Sequence, residues 1–123
     1  MSCLFNSLQY FIKESNSYEI RQKICDYLQE NRPIIDGLDT KFILELENNS
    51  NNAINYIQNM RNTWCWGGAI EIQAACNLWN LCIIVRNYRD RQGERIEFIP
   101  IIGHFTRTIE LEWTGGHYEP VRL

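Results

Sequence analysis

Apolar residues recur at helical spacing through the first two-thirds of the chain and at strand spacing through the last third. Leu4, Leu8, Phe11 and Ile12 form one stripe, which predicts a helix ending at the Glu14-Ser15-Asn16-Ser17 break. Asn16, followed three residues later by Glu19, has the form of a capping box. Ile20, Ile24, Tyr27 and Leu28 then predict the buried face of a second helix, stopped by Arg32-Pro33. Asp36-Gly37 reads as a turn, followed by a short helix carrying Phe42, Ile43 and Leu46 and by a polar, Asn-rich loop over 47–53. The helical period resumes at Ile54, Ile57 and Met60 and breaks at Trp64-Cys65-Trp66-Gly67-Gly68. Beyond the two glycines, Ala69, Ile70, Ile72, Ala74, Ala75, Cys76 and Leu78 make a helix apolar over most of its surface, expected at the centre of the fold.

From Leu81 the period changes. Leu81-Cys82-Ile83-Ile84-Val85 is a continuous apolar run typical of a strand buried on both faces. A turn around Arg91-Gln92-Gly93 leads to a second strand over Arg95–Ile101. Ile109, Leu111 and Trp113 alternate with Glu110 and Glu112 in a third strand with one wet face. Thr114-Gly115-Gly116 is a tight turn into a last strand over His117–Arg122. Helices first and a small, mostly antiparallel sheet afterwards make this an α+β fold, with no repeats and a single domain over 1–123.

Composition narrows the function classes. A chain of 123 residues, 45% hydrophobic and 22% charged, is long enough for one self-sufficient core. A net charge of −3 argues against a nucleic-acid surface. No apolar run reaches the roughly 18–20 residues of a bilayer span, and the start lacks the basic-then-apolar layout of a signal peptide. Five cysteines without a C-x-x-C pair read as reduced thiols of a cytoplasmic protein, not as a disulfide framework or a zinc site. No metal or organic cofactor is expected, and the chain is expected to act as a monomer.

Two residues carry candidate chemistry. Cys3 opens an apolar helix, where unpaired N–H groups and the helix dipole favour an anion. Unpaired cysteines are also among the most buried residues, so a plain core thiol is the competing reading. His117 stands on the last strand with Glu119 two residues on, hence on the same face and able to orient the imidazole. A strand-end histidine beside an unrelated glutamate is the bland alternative. His104, in a polar loop with no acid two places on, is only a reserve base. A lone cysteine at one end and a histidine at the other suit a papain-like thiol hydrolase, whose nucleophile and base meet in the fold. Tyr118 falls on the opposite strand face and is expected to pack. Cys65, Cys76 and Cys82 are expected in or near the core.

Four segments together resemble the OTU (ovarian tumour) family of deubiquitinating cysteine proteases. Cys3-Leu4-Phe5-Asn6-Ser7-Leu8 is similar to its nucleophile helix, and Arg21 to Tyr27 to its second helix. Tyr56-Ile57-Gln58-Asn59-Met60, Trp66-Gly67-Gly68 and Glu71-Ile72-Gln73-Ala74 resemble its central run, and Gly116-His117-Tyr118-Glu119-Pro120-Val121 its histidine strand. The resemblance implies a papain-like fold and hydrolysis of the isopeptide bond after the ubiquitin C-terminal glycine. Cys3 would be the nucleophile, His117 the base and Glu119 its orienting partner. Trp66, Gly67 and Gly68 would flank a channel for the Gly-Gly tail, although a packed indole and a helix-entry turn explain them equally well. The partner implied is ubiquitin, polyubiquitin or a ubiquitin-like modifier, met in the cytoplasm, or in a host's cytoplasm for a viral or symbiont protein.

Two departures set expectations. The Asp-Gly that usually precedes the family's cysteine has no counterpart in Met1-Ser2, so these residues are expected to fray and oxyanion stabilisation to be weak. Glu119 stands where Asp or Asn is common. A catalytically silent ubiquitin-binding module is the main rival reading, and another Cys–His enzyme, an acyltransferase or amidase, the weaker one.

Overall fold

The computed structural model describes residues 2–35, 38–39, 53–63, 65–89 and 94–122. The expected turn at Asp36-Gly37, the helix of Phe42, Ile43 and Leu46, the loop over 47–52 and the Arg91–Gly93 turn lie outside them. The elements run α1 (Cys3–Phe11), α2 (Ser17–Gln29), β1 (Pro33–Ile35), β2 (Leu38–Asp39), α3 (Ala53–Met60), α4 (Ala69–Trp79), β3 (Leu81–Asn87), β4 (Glu94–Phe98), β5 (Arg107–Trp113) and β6 (Tyr118–Pro120).

Local chemistry sets the helix ends. The Asn16 side chain accepts from the Glu19 amide at 2.8 Å and Glu19 accepts from the Asn16 amide at 3.3 Å, so the capping box satisfies two orphan donors at the start of α2. Asn31, with φ of 57°, turns the chain out of that helix, and Asn80, with φ of 53°, does the same after α4. Asparagine tolerates this left-handed conformation better than other side chains with a Cβ. Asn80 thus converts helix to strand within one residue.

α4 is the central helix, burying Ile70, Ile72, Ala74, Ala75 and Cys76, with α2 on one side and β3 on the other. α1 lies against α2 and β6 and buries Leu4, Phe5 and Leu8 almost completely. Each such side chain contributes about 1.5–3 kcal/mol of transfer free energy. These residues join Ile83, Val85, Ile109 and Leu111 from the sheet in one core.

The sheet has the order β4-β3-β5-β6. β4 and β6 pair antiparallel with their neighbours, but the central pair, β3 with β5, is parallel, in register from Leu81↔Arg107 to Asn87↔Trp113. The sheet is therefore mixed: two of its three pairs are antiparallel, as a mostly antiparallel sheet requires, and the central one is parallel. The cause is the crossing segment 99–106. After β4 the chain has returned to the start of β3, and it crosses to the other side of that strand along the end of α4. Gln73 donates to the Ile99 carbonyl at 2.7 Å, Asn77 Oδ1 accepts from the Ile101 amide at 2.9 Å, and the Asn80 carbonyl accepts from the Thr106 amide at 2.8 Å. β5 consequently starts level with β3 and runs the same way. A second, two-stranded antiparallel pair, β1 with β2, flanks the position expected to be a turn.

Candidate active site

The start of α1 and the β5–β6 hairpin form two walls of one cleft of about 1040 Å³, and both Cys3 and His117 line it. Cys3 is the first residue of α1, so its amide is among the N–H groups that no helical carbonyl can reach. Its side chain is half-buried, and its carbonyl accepts from Ser7 Oγ at 2.8 Å. On the facing wall, the Thr114 amide donates to the His117 carbonyl at 3.1 Å, and Gly115 takes φ of 102°, a conformation that a Cβ would strain. This tight hairpin presents His117 just ahead of β6.

His117 Nε2 lies 3.2 Å from Glu119 Oε1. With Nε2–H donated to the carboxylate, the lone pair of the ring sits on Nδ1, the nitrogen left free to take a thiol proton. Both side chains are more than half exposed, so this contact orients the ring more than it stabilises the fold. Glu112, directly opposite Glu119 in the β5–β6 register, lines the same cleft.

Trp66 is half-exposed, lines the cleft, and sets its indole against Gly116, where an added Cβ would stand 3.6 Å from the ring. Gly67 and Gly68 do not line the cleft. Gly67 lets the loop close on α1, since a Cβ there would fall 2.6 Å from Leu4 Cδ2 and 3.0 Å from the Phe5 ring. Gly68 caps α4, its amide donating to Glu71 Oε1 at 2.7 Å, while Glu71 Oε2 accepts from the Tyr56 hydroxyl at 2.7 Å. His104 is exposed on the crossing segment and lies outside the cleft. Cys76 and Cys82 are buried and Cys65 half-buried.

Tyr118 does pack, stacking on Trp113 with centroids 6.3 Å apart, yet it lines the cleft as well. Burial foremost pushes its phenol up to about 12, and the negative charge of Glu71 adds to it. Ser2, expected to fray, has partners in the fold: its hydroxyl donates to the Thr63 carbonyl at 3.2 Å and accepts from Arg21 Nη2 at 3.2 Å. Arg21, Glu71 and Glu112 are the residues whose roles sequence reasoning missed. The signal for Arg21 was present, because it falls between Ile20 and Ile24 on the apolar face of α2. Glu112 carried none, since its place depends on strand pairing. Among the described residues, no group of three His, Cys, Asp or Glu side chains is arranged to hold a metal ion, and no helix is long and apolar enough to cross a membrane.

The family described as OTU-like cysteine protease matches residues 2–118. No curated protein matches the sequence. Among solved structures, an ovarian tumour (OTU) domain in complex with ubiquitin is 24% identical with a TM-score of 0.74, covering 97% of this chain and 62% of its own. This chain thus spans less than two-thirds of that one. The viral OTU domain protease from Dera Ghazi Khan virus is 22% identical with a TM-score of 0.71, over 99% of this chain and 74% of its own. The OTU domain of OTUD1 is 17% identical with a TM-score of 0.71, over 99% and 79%. At these identities the likeness establishes the fold.

Proposed function

The chain belongs to the OTU-like cysteine proteases, and from that premise we propose that it is a deubiquitinase, hydrolysing the isopeptide bond after the ubiquitin C-terminal glycine. The observation that carries the reading is the shared cleft. A thiol at the first position of a helix and an imidazole already oriented by a carboxylate line the same opening, as a Cys–His mechanism requires.

In this reading His117 Nδ1 takes the Cys3 proton, and the thiolate attacks the glycine carbonyl. The C–S bond forms as the carbonyl electrons move onto oxygen. The orphan amides at the start of α1, that of Cys3 among them, face the negative charge that develops there. The tetrahedral adduct collapses, its C–N bond breaks, and Nδ1–H protonates the departing lysine amine. Water, deprotonated by the same nitrogen, then releases the thioester. Glu119 holds the ring through Nε2 in both half-reactions. Trp66 supplies a flat wall beside which an extended Gly-Gly tail fits, where larger side chains would clash. Ubiquitin is favoured as the partner because a fold neighbour is solved in complex with it. The protein is taken to act as a monomer.

The test is reaction with ubiquitin carrying a C-terminal electrophile, read by intact mass, together with hydrolysis of a ubiquitin–fluorophore conjugate. A single adduct on Cys3 and measurable turnover are expected. A chain that binds ubiquitin but neither labels nor cleaves is a binding module, and the protease reading fails. Labelling by a ubiquitin-like modifier in place of ubiquitin reassigns the substrate and leaves the chemistry intact.

A further inference from the structure

Arg21 is a charged side chain with only 1% of its surface exposed, set in the middle of α2. Replacing a buried ionic group by an apolar one is often neutral or stabilising, so core stability alone is a poor reason for its presence. Its contacts show where it acts. Nη1 donates to the Met60 carbonyl at 2.7 Å, at the end of α3. Nη2 donates to Ser2 Oγ at 3.2 Å and to the Thr63 carbonyl at 3.4 Å. The guanidinium lies 4.1 Å from the centre of the Phe5 ring, two residues past Cys3. One group therefore touches the residues on both sides of the nucleophile and the segment leading to Trp66.

Ser2 transmits this hold. Its carbonyl accepts the first helical bond of α1, from the Asn6 amide at 2.7 Å, so any displacement of Ser2 moves the turn that carries Cys3. Its hydroxyl caps no amide of its own helix, being engaged with Arg21 and Thr63 instead. Loss of that hydroxyl thus acts through the clamp and not through helix capping.

We infer that Arg21 is a positioning residue for Cys3, holding Ser2 and the first turn of α1 in place against the Thr63 carbonyl. The consequence for catalysis rests on the protease reading above; the consequence for local order does not. The variants are Ser2→Ala, Ser2→Thr and Arg21→Lys. Their readouts are kcat and KM on a ubiquitin–fluorophore conjugate and hydrogen exchange at the Asn6 amide. Misplacing a reacting group by about 1 Å costs up to ~10²-fold, so Ser2→Ala, which keeps the Met60 anchor, is expected to lower kcat about tenfold at unchanged KM. Exchange at Asn6 should accelerate about tenfold, the effect of one hydrogen bond, while Ile24 in α2 keeps its protection. Ser2→Thr, which retains the hydroxyl, should restore both. Arg21→Lys, whose single ammonium cannot serve Met60 and Ser2 at once, should reproduce the Ser2→Ala pattern. Parental kcat and parental Asn6 exchange in Ser2→Ala would overturn the inference. Faster Asn6 exchange in a protein that cleaves no ubiquitin conjugate would support the clamp and overturn the substrate.

Discussion

Three side chains divide the proposed chemistry unequally, because each loses something different on replacement. Cys3→Ala removes the nucleophile at a half-buried helix start, so labelling and turnover should vanish while the melting temperature hardly moves. Adduct formation persisting in Cys3→Ala and lost on changing Cys65 would show that the nucleophile is misassigned. His117→Ala removes the base and should lower turnover by about 10²–10⁴-fold. Glu119→Gln keeps a carbonyl oxygen that can accept Nε2–H, so a loss of about tenfold or less is expected, well short of the full cost of the base. Equal losses in Glu119→Gln and His117→Ala would mean that the charge matters more than the ring orientation. The geometry favours orientation, since a 3.2 Å contact between two largely exposed groups is heavily screened by water.

At the scale of elements, the cleft depends on how closely the Trp66-Gly67-Gly68 segment approaches α1. A Cβ on Gly67 would meet buried Leu4 and Phe5 with no room to withdraw, whereas a Cβ on Gly68 finds nothing nearer than Glu71 Oε1 at 3.9 Å. Gly67→Ala should therefore cost about 1–3 kcal/mol of stability by overpacking and push on the turn that carries Cys3. Gly68→Ala should cost less, about 0.5–1 kcal/mol, for a poorer N-cap residue without overpacking. Urea unfolding of the two variants checks this, and equal midpoints would refute the packing account. The same loop shows how far the sequence could be read. The adjacent glycines announced a break, and the capping box at Asn16 and Glu19 was legible to the atom, because both are local chemistry. That Gly67 serves α1 and Gly68 serves α4 was not legible, since a close approach involves residues distant in sequence. The parallel pairing of β3 with β5 was hidden for a related reason. Alternation assigns a residue to a face and does not identify the neighbouring strand, although the unbroken apolar run of β3 marked it as a fully buried strand. Arg21 was visible as a charge on an apolar face, but its partners Met60, Thr63 and Ser2 come together only in the fold.

In the whole molecule, burial also fixes the protonation state of groups in and around the core. Burial pushes the Cys25 thiol from an ordinary 9.0 up to about 12, with Glu71 and Asp26 adding to the shift and Arg61 and Arg21 opposing it. Burial raises Cys76 to about 12 as well, and Tyr118 rises from 10.0 to about 12. These groups keep their protons in the folded chain at pH values where the unfolded chain has released them. Between about pH 9 and 12 the unfolded state therefore binds fewer protons, and stability falls as pH rises. Their contribution is complete below pH 9 and is lost as the pH climbs toward 12. The urea midpoint should accordingly decline steadily above pH 9, with loss of the native Trp113–Tyr118 environment. The Cys25→Ala/Cys76→Ala double variant should start lower, because two buried side chains are truncated, but should decline less steeply over the same interval. Alkylation followed by mass spectrometry gives an independent reading: at pH 8 half-buried Cys3 and Cys65 should be modified first, and Cys25 and Cys76 only at the rate of unfolding. Parallel pH slopes for the parent and the double variant, or early modification of Cys25, would show that these thiols are not held protonated by the core.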